Sequence, residues 1–262
     1  MPETNYQTLR YEVAEQIARI TLDRPPANLI NLQMTEEYHA ALRHADVDPD
    51  VRVIVLCGAG DGLSAGVDLK YLENFNSAEM KVYLRLFYVG TMKLVRSLSK
   101  PIIAAVHGYA REGACTLAFA CDMIIAADDA DFGYPGVLNL AAPPGMHVWI
   151  LQRLIGRMKA AELIFTGKAL GAAQAERMGL ITKVVGAGCL LYEAEKIAQR
   201  MAQMSPLALR RTRDLMYQME DMNFDEVPEA AVEALSAAFD SEDSKEARKA
   251  FIEKRKPVWT GK

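Results

Sequence analysis

The feature that most constrains this chain is a repeated order of two strand-like segments followed by a helical one, running through its first half. Residues 10–13 and 17–22 alternate apolar and polar side chains around a turn, 32–45 has helical spacing, and 51–57 is a β-branched run. A Gly-rich loop over 58–66 leads to 78–98, whose apolar positions recur every three or four residues, and 101–106 reads as a buried strand. The cycle then repeats, with a loop at 111–113, a helix at 114–120, a strand at 123–127 and a Gly/Pro-rich excursion over 131–145. This order predicts an α/β fold of stacked ββα turns rather than a doubly wound sheet. Past Met146 only 181–185 keeps a strand pattern. Helices are expected at 148–154, 159–165, 172–178, 192–202, 206–219 and 226–239, so the chain divides into a core over 1–188 and a helical module over 189–262.

With 262 residues, of which 51% are hydrophobic and 24% charged, the chain can bury a sizeable core. Its net charge of −4 is interspersed, and the one basic run is the short Lys254-Arg255-Lys256, so no nucleic-acid partner is expected. The polar N-terminus and the absence of a long apolar run point to no membrane association and a cytoplasmic location. Cys57, Cys115, Cys121 and Cys189 form no CxxC pair and lie among small or apolar residues, which predicts packed, reduced thiols and no metal site.

Two Gly-rich loops follow strands: Ser64-Ala65-Gly66-Val67-Asp68, and Gly108-Tyr109-Ala110-Arg111-Glu112-Gly113-Ala114. Glycine lets backbone approach a ligand, and a helix opening behind it offers unpaired N–H groups to an anion or a polarised oxygen. Taken singly, either loop is explained as well by a tight turn.

Read end to end, the chain resembles the crotonase (enoyl-CoA hydratase/isomerase) superfamily. The resemblance is carried by Leu22-Asp23-Arg24-Pro25 with Asn28-Leu29-Ile30-Asn31, by Ser64-Ala65-Gly66-Val67-Asp68-Leu69, and by Lys100-Pro101-Ile102-Ile103-Ala104-Ala105-Val106-His107-Gly108 through Gly113 and Cys121-Asp122. It continues through Ala160, Glu162-Leu163, Thr166-Gly167, Ala175 and Gly179-Leu180 to Phe251, Lys254-Arg255 and Pro257.

The resemblance implies a crotonase-like spiral followed by a helical C-terminal oligomerisation module, assembled as a homotrimer or a dimer of trimers. It implies an acyl-CoA substrate from fatty-acid or aromatic-acid metabolism, and no cofactor beyond the coenzyme A moiety. The backbone N–H groups of Val67 and Gly113 would form an oxyanion hole that holds the thioester oxygen and stabilises an enolate. Coenzyme A would lie along Asn28, Leu29 and Ile30 and the loop of Ser64, Ala65, Gly66 and Asp68, with Lys70 near phosphate and Phe251 and Lys254 reaching the nucleotide. Asp68 has a second reading, as a turn or cap residue.

The chain departs from the family at its acids. Thr116 stands where a hydratase carries one glutamate, Gly136 where it carries the other, and Pro144 where other branches place an acid. Glu112, in a position commonly occupied by glycine, could face the substrate or solvent. His147 could titrate near neutrality or cap a helix, Tyr134 could donate a hydrogen bond or line a wall, and Thr116 could orient a water or simply open a helix. Tyr83, Phe87, Tyr88 and Met92 share a helical face that would line the acyl pocket, which favours a bulky or cyclic acyl group, or else belong to the core. Three functions remain open: a lyase or isomerase of noncanonical active site, a decarboxylase or C–C bond hydrolase, and a non-catalytic acyl-CoA-binding homologue.

Overall fold

The structure, a computed structural model, describes residues 5–134, 137 and 141–262. Two sheets stack in a spiral. The larger runs in the order β1 (Leu9–Ala14), β2 (Ile17–Leu22), β3 (Val53–Gly58), β5 (Ile102–Val106), β7 (Met123–Ala127), β10 (Lys183–Val185). Its first pair is antiparallel and the rest parallel. The smaller sheet runs β4 (Gly62–Ser64), β6 (Tyr109–Arg111), β8 (Asp131–Gly133), β9 (Leu170–Gly171), parallel except for its last pair. The opening pair β1–β2 lies wholly in the larger sheet, and the following pairs β3–β4, β5–β6 and β7–β8 each contribute one strand to each sheet before a helix returns the chain, which is the ββα order read from the sequence.

The central parallel strands β3, β5 and β7 are apolar throughout because both faces of the larger sheet are covered there. Ile54, Leu56, Ile102, Ala104, Val106 and Ile124 face one core, shared with α1 (Leu32–Val47) and α5 (Gly113–Ala120). Their neighbours Val53, Val55, Cys57, Ile103, Ala105 and Ile125 face a second core closed by Leu190, Ala194 and Ala198 of α9 (Leu190–Ala202). The first helix beyond residue 188 is therefore the cover of the sheet's second face.

The helical face at 78–98 is not one α-helix. It comprises α3 (Ser77–Leu84), a π-helical turn over Arg85–Gly90, and α4 (Thr91–Ser97). The wider turn separates the aromatic stripe. Tyr83 and Phe87 are buried in the main core, whereas Tyr88 is only partly buried and packs at its edge. Further helices are α2 (Leu69–Leu72), α6 (His147–Ile155), α7 (Arg157–Thr166), α8 (Ala172–Arg177), α10 (Pro206–Met219), α11 (Val227–Phe239) and α12 (Glu242–Ile252). The strands of the smaller sheet and α12 are additions to the sequence reading.

Arg213 of α10 ties the helical module to the core. Its guanidinium bonds Asp122 at 2.9 Å and donates to the carbonyls of Val95 and Leu98 at 2.6 and 2.7 Å, satisfying the C-terminal end of α4. Cys57 and Cys115 are buried and Cys121 half-buried, but Cys189 is exposed at the turn before α9, so the expectation of a packed thiol fails there. Among the described residues no helix is long and apolar enough to cross a membrane, and no group of three His, Cys, Asp or Glu side chains is placed to hold a metal.

Candidate active site

The first loop is built by hydrogen bonds that use up its side chains. Ser64 Oγ accepts from the N–H of Gly66 at 3.0 Å, and Asp68 accepts from Tyr71 N as the cap of α2 while pairing with Arg24 at 2.9 Å. Asn28, with a positive φ of 51°, is buried and joins three segments. Its Nδ2 donates to the carbonyls of Ala59, Gly62 and Leu63 at 2.7, 3.2 and 3.3 Å, and its Oδ1 accepts from Arg24 N at 2.9 Å.

Ile30 and Val67 form a parallel bridge through Gly66 O and Asp68 N. Because strand N–H groups alternate sides, the N–H of Val67 lies on the edge away from Ile30, and it donates to no group among the described residues.

The second loop lies against the first. A Cβ on Gly66, whose φ is +96°, would come 2.9 Å from Arg111 O, and one on Gly113 would come 3.1 Å from Val67 Cγ2 and from Phe87 Cζ. The glycines are what allow the two backbones to touch. Gly113 is the first residue of α5, and no side chain caps that helix, so its opening N–H groups are free of intrahelical and capping partners. The loop is held by β6, with Glu112 N donating to Gly133 O at 3.0 Å.

Glu112 has φ 43° and ψ −102°, a conformation of glycine and not of a residue with a Cβ. Its side chain turns inward, Oε1 is buried without a partner, and burial pushes its carboxyl above the usual glutamate range.

Around it lie the other polar residues read from the sequence. Thr116, one turn along α5, meets His147 with Oγ1 3.0 Å from Nε2, and both are fully buried. Tyr134 packs edge-on against His147 with ring centroids 4.7 Å apart, and stacks on Phe119. The hydroxyl of Tyr134 lies against the Cys115 thiol and the His147 imidazole against the Glu112 backbone, although neither that hydroxyl nor Nδ1 completes a well-formed hydrogen bond. Burial lowers the His147 imidazole to about 4, against the opposing pull of the Glu112 backbone. Tyr134 is raised well above its ordinary value by burial.

One member of this cluster was legible in the sequence only as part of an apolar stripe. Tyr88 reaches Thr116 with its hydroxyl and is pushed up to about 12, by burial first and then by the nearby Glu112 carboxyl. Its ring underlies Gly145, where a Cβ would come 2.7 Å away. Its outer side borders an open groove of about 460 Å³ lined by Met80, Leu84, Val89 and Met146.

The structure thus brings Val67, Gly113, Glu112, Thr116, Tyr134 and His147 to one place. In the expected coenzyme A path, Leu29 and Ala65 are half-buried and Lys70 is exposed on α2, but Ile30 is core and the side chains of Asn28, Ser64 and Asp68 are spent within the fold. Asn28 in particular is a structural hub, and its side chain has no group to offer a ligand. Phe251 is exposed near the end of α12, which packs on α11, and Lys254 is exposed just beyond that helix, so the single chain does not place this pair on the loops. The reading of an absent second acid at Gly136 lies outside the described residues. Pro144 accepts from His147 N at 3.2 Å.

Comparison with known proteins agrees with the spiral. The enoyl-CoA hydratase/isomerase family model matches residues 12–262. A protein of Mycobacterium tuberculosis named a probable enoyl-CoA hydratase is 38% identical over 257 residues, 97% of this chain and 98% of that one. A crotonyl-CoA hydratase of Syntrophomonas wolfei is 34% identical over 260 residues, covering 98% and 99% respectively. The crystal structure of an enoyl-CoA hydratase from Bacillus anthracis superposes with a TM-score of 0.93 at 32% identity, covering 98% of this chain and all of the other. A family match over nearly the whole length, joined to the same spiral, means that this chain belongs to the enoyl-CoA hydratase/isomerase family of the crotonase superfamily.

Proposed function

We propose that this protein adds water to, or removes it from, an acyl-CoA thioester through an enolate, with Glu112 as the group that exchanges a proton with the α-carbon. The N–H groups of Val67 and Gly113 hold the thioester oxygen as charge develops on it, a device worth ~10²–10³ in rate in comparable sites. In the direction of hydration, the water oxygen bonds to the β-carbon and the π electrons move onto the thioester oxygen. Glu112 then gives its proton to the α-carbon, and the proton lost by the water returns to Glu112. A carboxyl raised by burial is suited to both halves of that cycle near neutral pH.

The observation that carries the reading is Glu112 itself: a glutamate in a glycine conformation beside Gly113, with a buried, partnerless oxygen. Strained backbone of this kind costs ~1–3 kcal/mol and persists where surrounding structure imposes it, commonly at functional sites. The names of the relatives support hydration as the reaction. A non-catalytic binding homologue would have no use for the strain.

The test is mass analysis of enoyl-, malonyl-type and β-keto acyl-CoA esters after incubation in ordinary and heavy water. Gain of water by an enoyl ester with deuterium at the α-carbon is expected, and Glu112→Gln should lower that rate by ~10²-fold or more. An unchanged rate in Glu112→Gln would remove Glu112 from the chemistry, and loss of CO₂ from the malonyl-type ester alone would replace hydration with decarboxylation.

A further inference from the structure

The ring of Tyr88 stands as a partition. On its inner side are the Glu112 carboxyl, Thr116 and, edge-on with ring centroids 6.4 Å apart, the imidazole of His147. On its outer side is the groove of about 460 Å³, walled by Met80, Leu84, Val89 and Met146 and rimmed by Lys81 and Arg85. That volume falls in the range of small-molecule pockets, ~300–1,000 Å³, and the apolar walls suit an alkyl tail. Ring and backbone are packed together at Gly145, where a Cβ would come 2.7 Å from Cε2 and 2.8 Å from Cζ of Tyr88.

The direction of the ring is set by the π-helical turn over Arg85–Gly90, which widens the winding and so turns α3 relative to α4. Such turns are rare, and this one is held from outside by α1. Buried His39 places Nε2 2.8 Å from Oγ1 of Thr91, the fully buried residue just past the turn. Gly90 makes room for the imidazole, since a Cβ there would come 3.1 Å from His39 Cε1. His39 is thus keyed into the exit of the turn that presents Tyr88.

We infer that Tyr88 sets the length of acyl group that the site accepts, closing it against the apolar groove, and that His39 is the positioning residue that holds Tyr88 shut through Thr91 and the π-helical turn. The substrate class is accordingly a short-chain acyl-CoA, and the groove takes a longer alkyl tail only when the ring is moved aside. A short chain, rather than the bulky group suggested by the aromatic stripe, follows from Tyr83 and Phe87 being core and from Tyr88 closing the space. The inference rests on the acyl-CoA reading above, in which the chain beyond the β-carbon runs from Glu112 toward the ring.

Calorimetric binding of butyryl-CoA and decanoyl-CoA to the full-length protein tests it without turnover, because neither saturated ester can be hydrated. The unaltered protein should bind decanoyl-CoA no more tightly than butyryl-CoA. Tyr88→Ala should raise the ratio of decanoyl to butyryl affinity by at least ~10-fold, the discrimination a hydrophobic pocket exerts over about one methylene. His39→Leu should move the ratio the same way by a smaller factor, and His39→Gln, whose amide can meet Thr91, should restore it. A merely structural His39 would weaken both esters together and leave the ratio unmoved, which would remove it as a positioning residue. Tighter binding of decanoyl-CoA by the unaltered protein, or an unmoved ratio in Tyr88→Ala, would overturn the gate; if that variant does not fold, His39→Leu decides. Failure of both esters to bind the unaltered protein would instead overturn the acyl-CoA reading itself.

Discussion

The two loops that meet at the site are opposites in how they spend their hydrogen bonds. In the first, Ser64, Asp68 and Asn28 direct their side-chain groups into the fold, and the positive-φ positions fall to Gly66 and to Asn28, residue types that tolerate them. The second puts a glutamate in a glycine conformation, leaves its helix uncapped, and leaves Glu112 Oε1 buried without a hydrogen bond. On the function proposed above, stability and chemistry are divided between them. The first loop has only backbone to offer a substrate and serves as the rigid wall. The second bears the strain and the unsatisfied oxygen, which substrate binding can relieve.

If the first loop is the rigid one, its hub should be the costliest to remove. Asn28→Ala strips the donor from three carbonyls, orphans Arg24 N–H and places alanine at φ 51°. The expected loss is roughly 3 kcal/mol, read by urea or thermal unfolding. A loss under about 1 kcal/mol would show that water can take over the bonds and would erase the contrast between the loops.

The second loop should instead announce itself through pH. His147 is held neutral by burial, with its imidazole lowered from 6.5 to about 4. Below pH 6.5 the unfolded chain binds a proton that the folded one refuses, so the contribution is intact above pH 6.5 and is lost progressively as pH falls toward 4. The shift corresponds to about 3 kcal/mol, and His39, also lowered to about 4, adds a comparable contribution of its own over the same interval. His147→Gln should flatten the stability profile between pH 6.5 and 4 relative to the unaltered protein. An unchanged slope would place the protonation elsewhere.

How much of this was readable from the residues follows from length and period. The long strands and α1 declare themselves by alternation and helical spacing, but β4, β6, β8 and β9 span only two or three residues, too few to show a period, and pairing alone defines them. Helix α12 is rich in charged side chains and held by the Ser241 cap and the bonds of Asp243 to the chain end, so its apolar signal is faint. The π-helical turn that sets Tyr88 against Thr116 has no sequence signature. Glu112 was legible as an oddity of position, while its direction depended on one backbone rotation that only the pairing of β6 with β8 decides.

The smallest expected effect bears most directly on the division between the loops. Glu112→Gly would release a backbone strain of ~1–3 kcal/mol, and would also remove a carboxyl that burial penalises. Against this, glycine gives the unfolded chain more freedom, worth ~0.4–1 kcal/mol. The balance predicts a folded state more stable by about 1 kcal/mol, seen as a rise of ~2–4 °C in Tm, in a protein that no longer exchanges the α-proton. The gain should widen as pH rises above the ordinary glutamate range, because in the native protein the raised carboxyl binds a proton that the unfolded chain has already lost, and stability falls as that proton leaves. A less stable Glu112→Gly variant would mean that Glu112 makes a supporting contact outweighing its strain, and the second loop would then be as structural as the first.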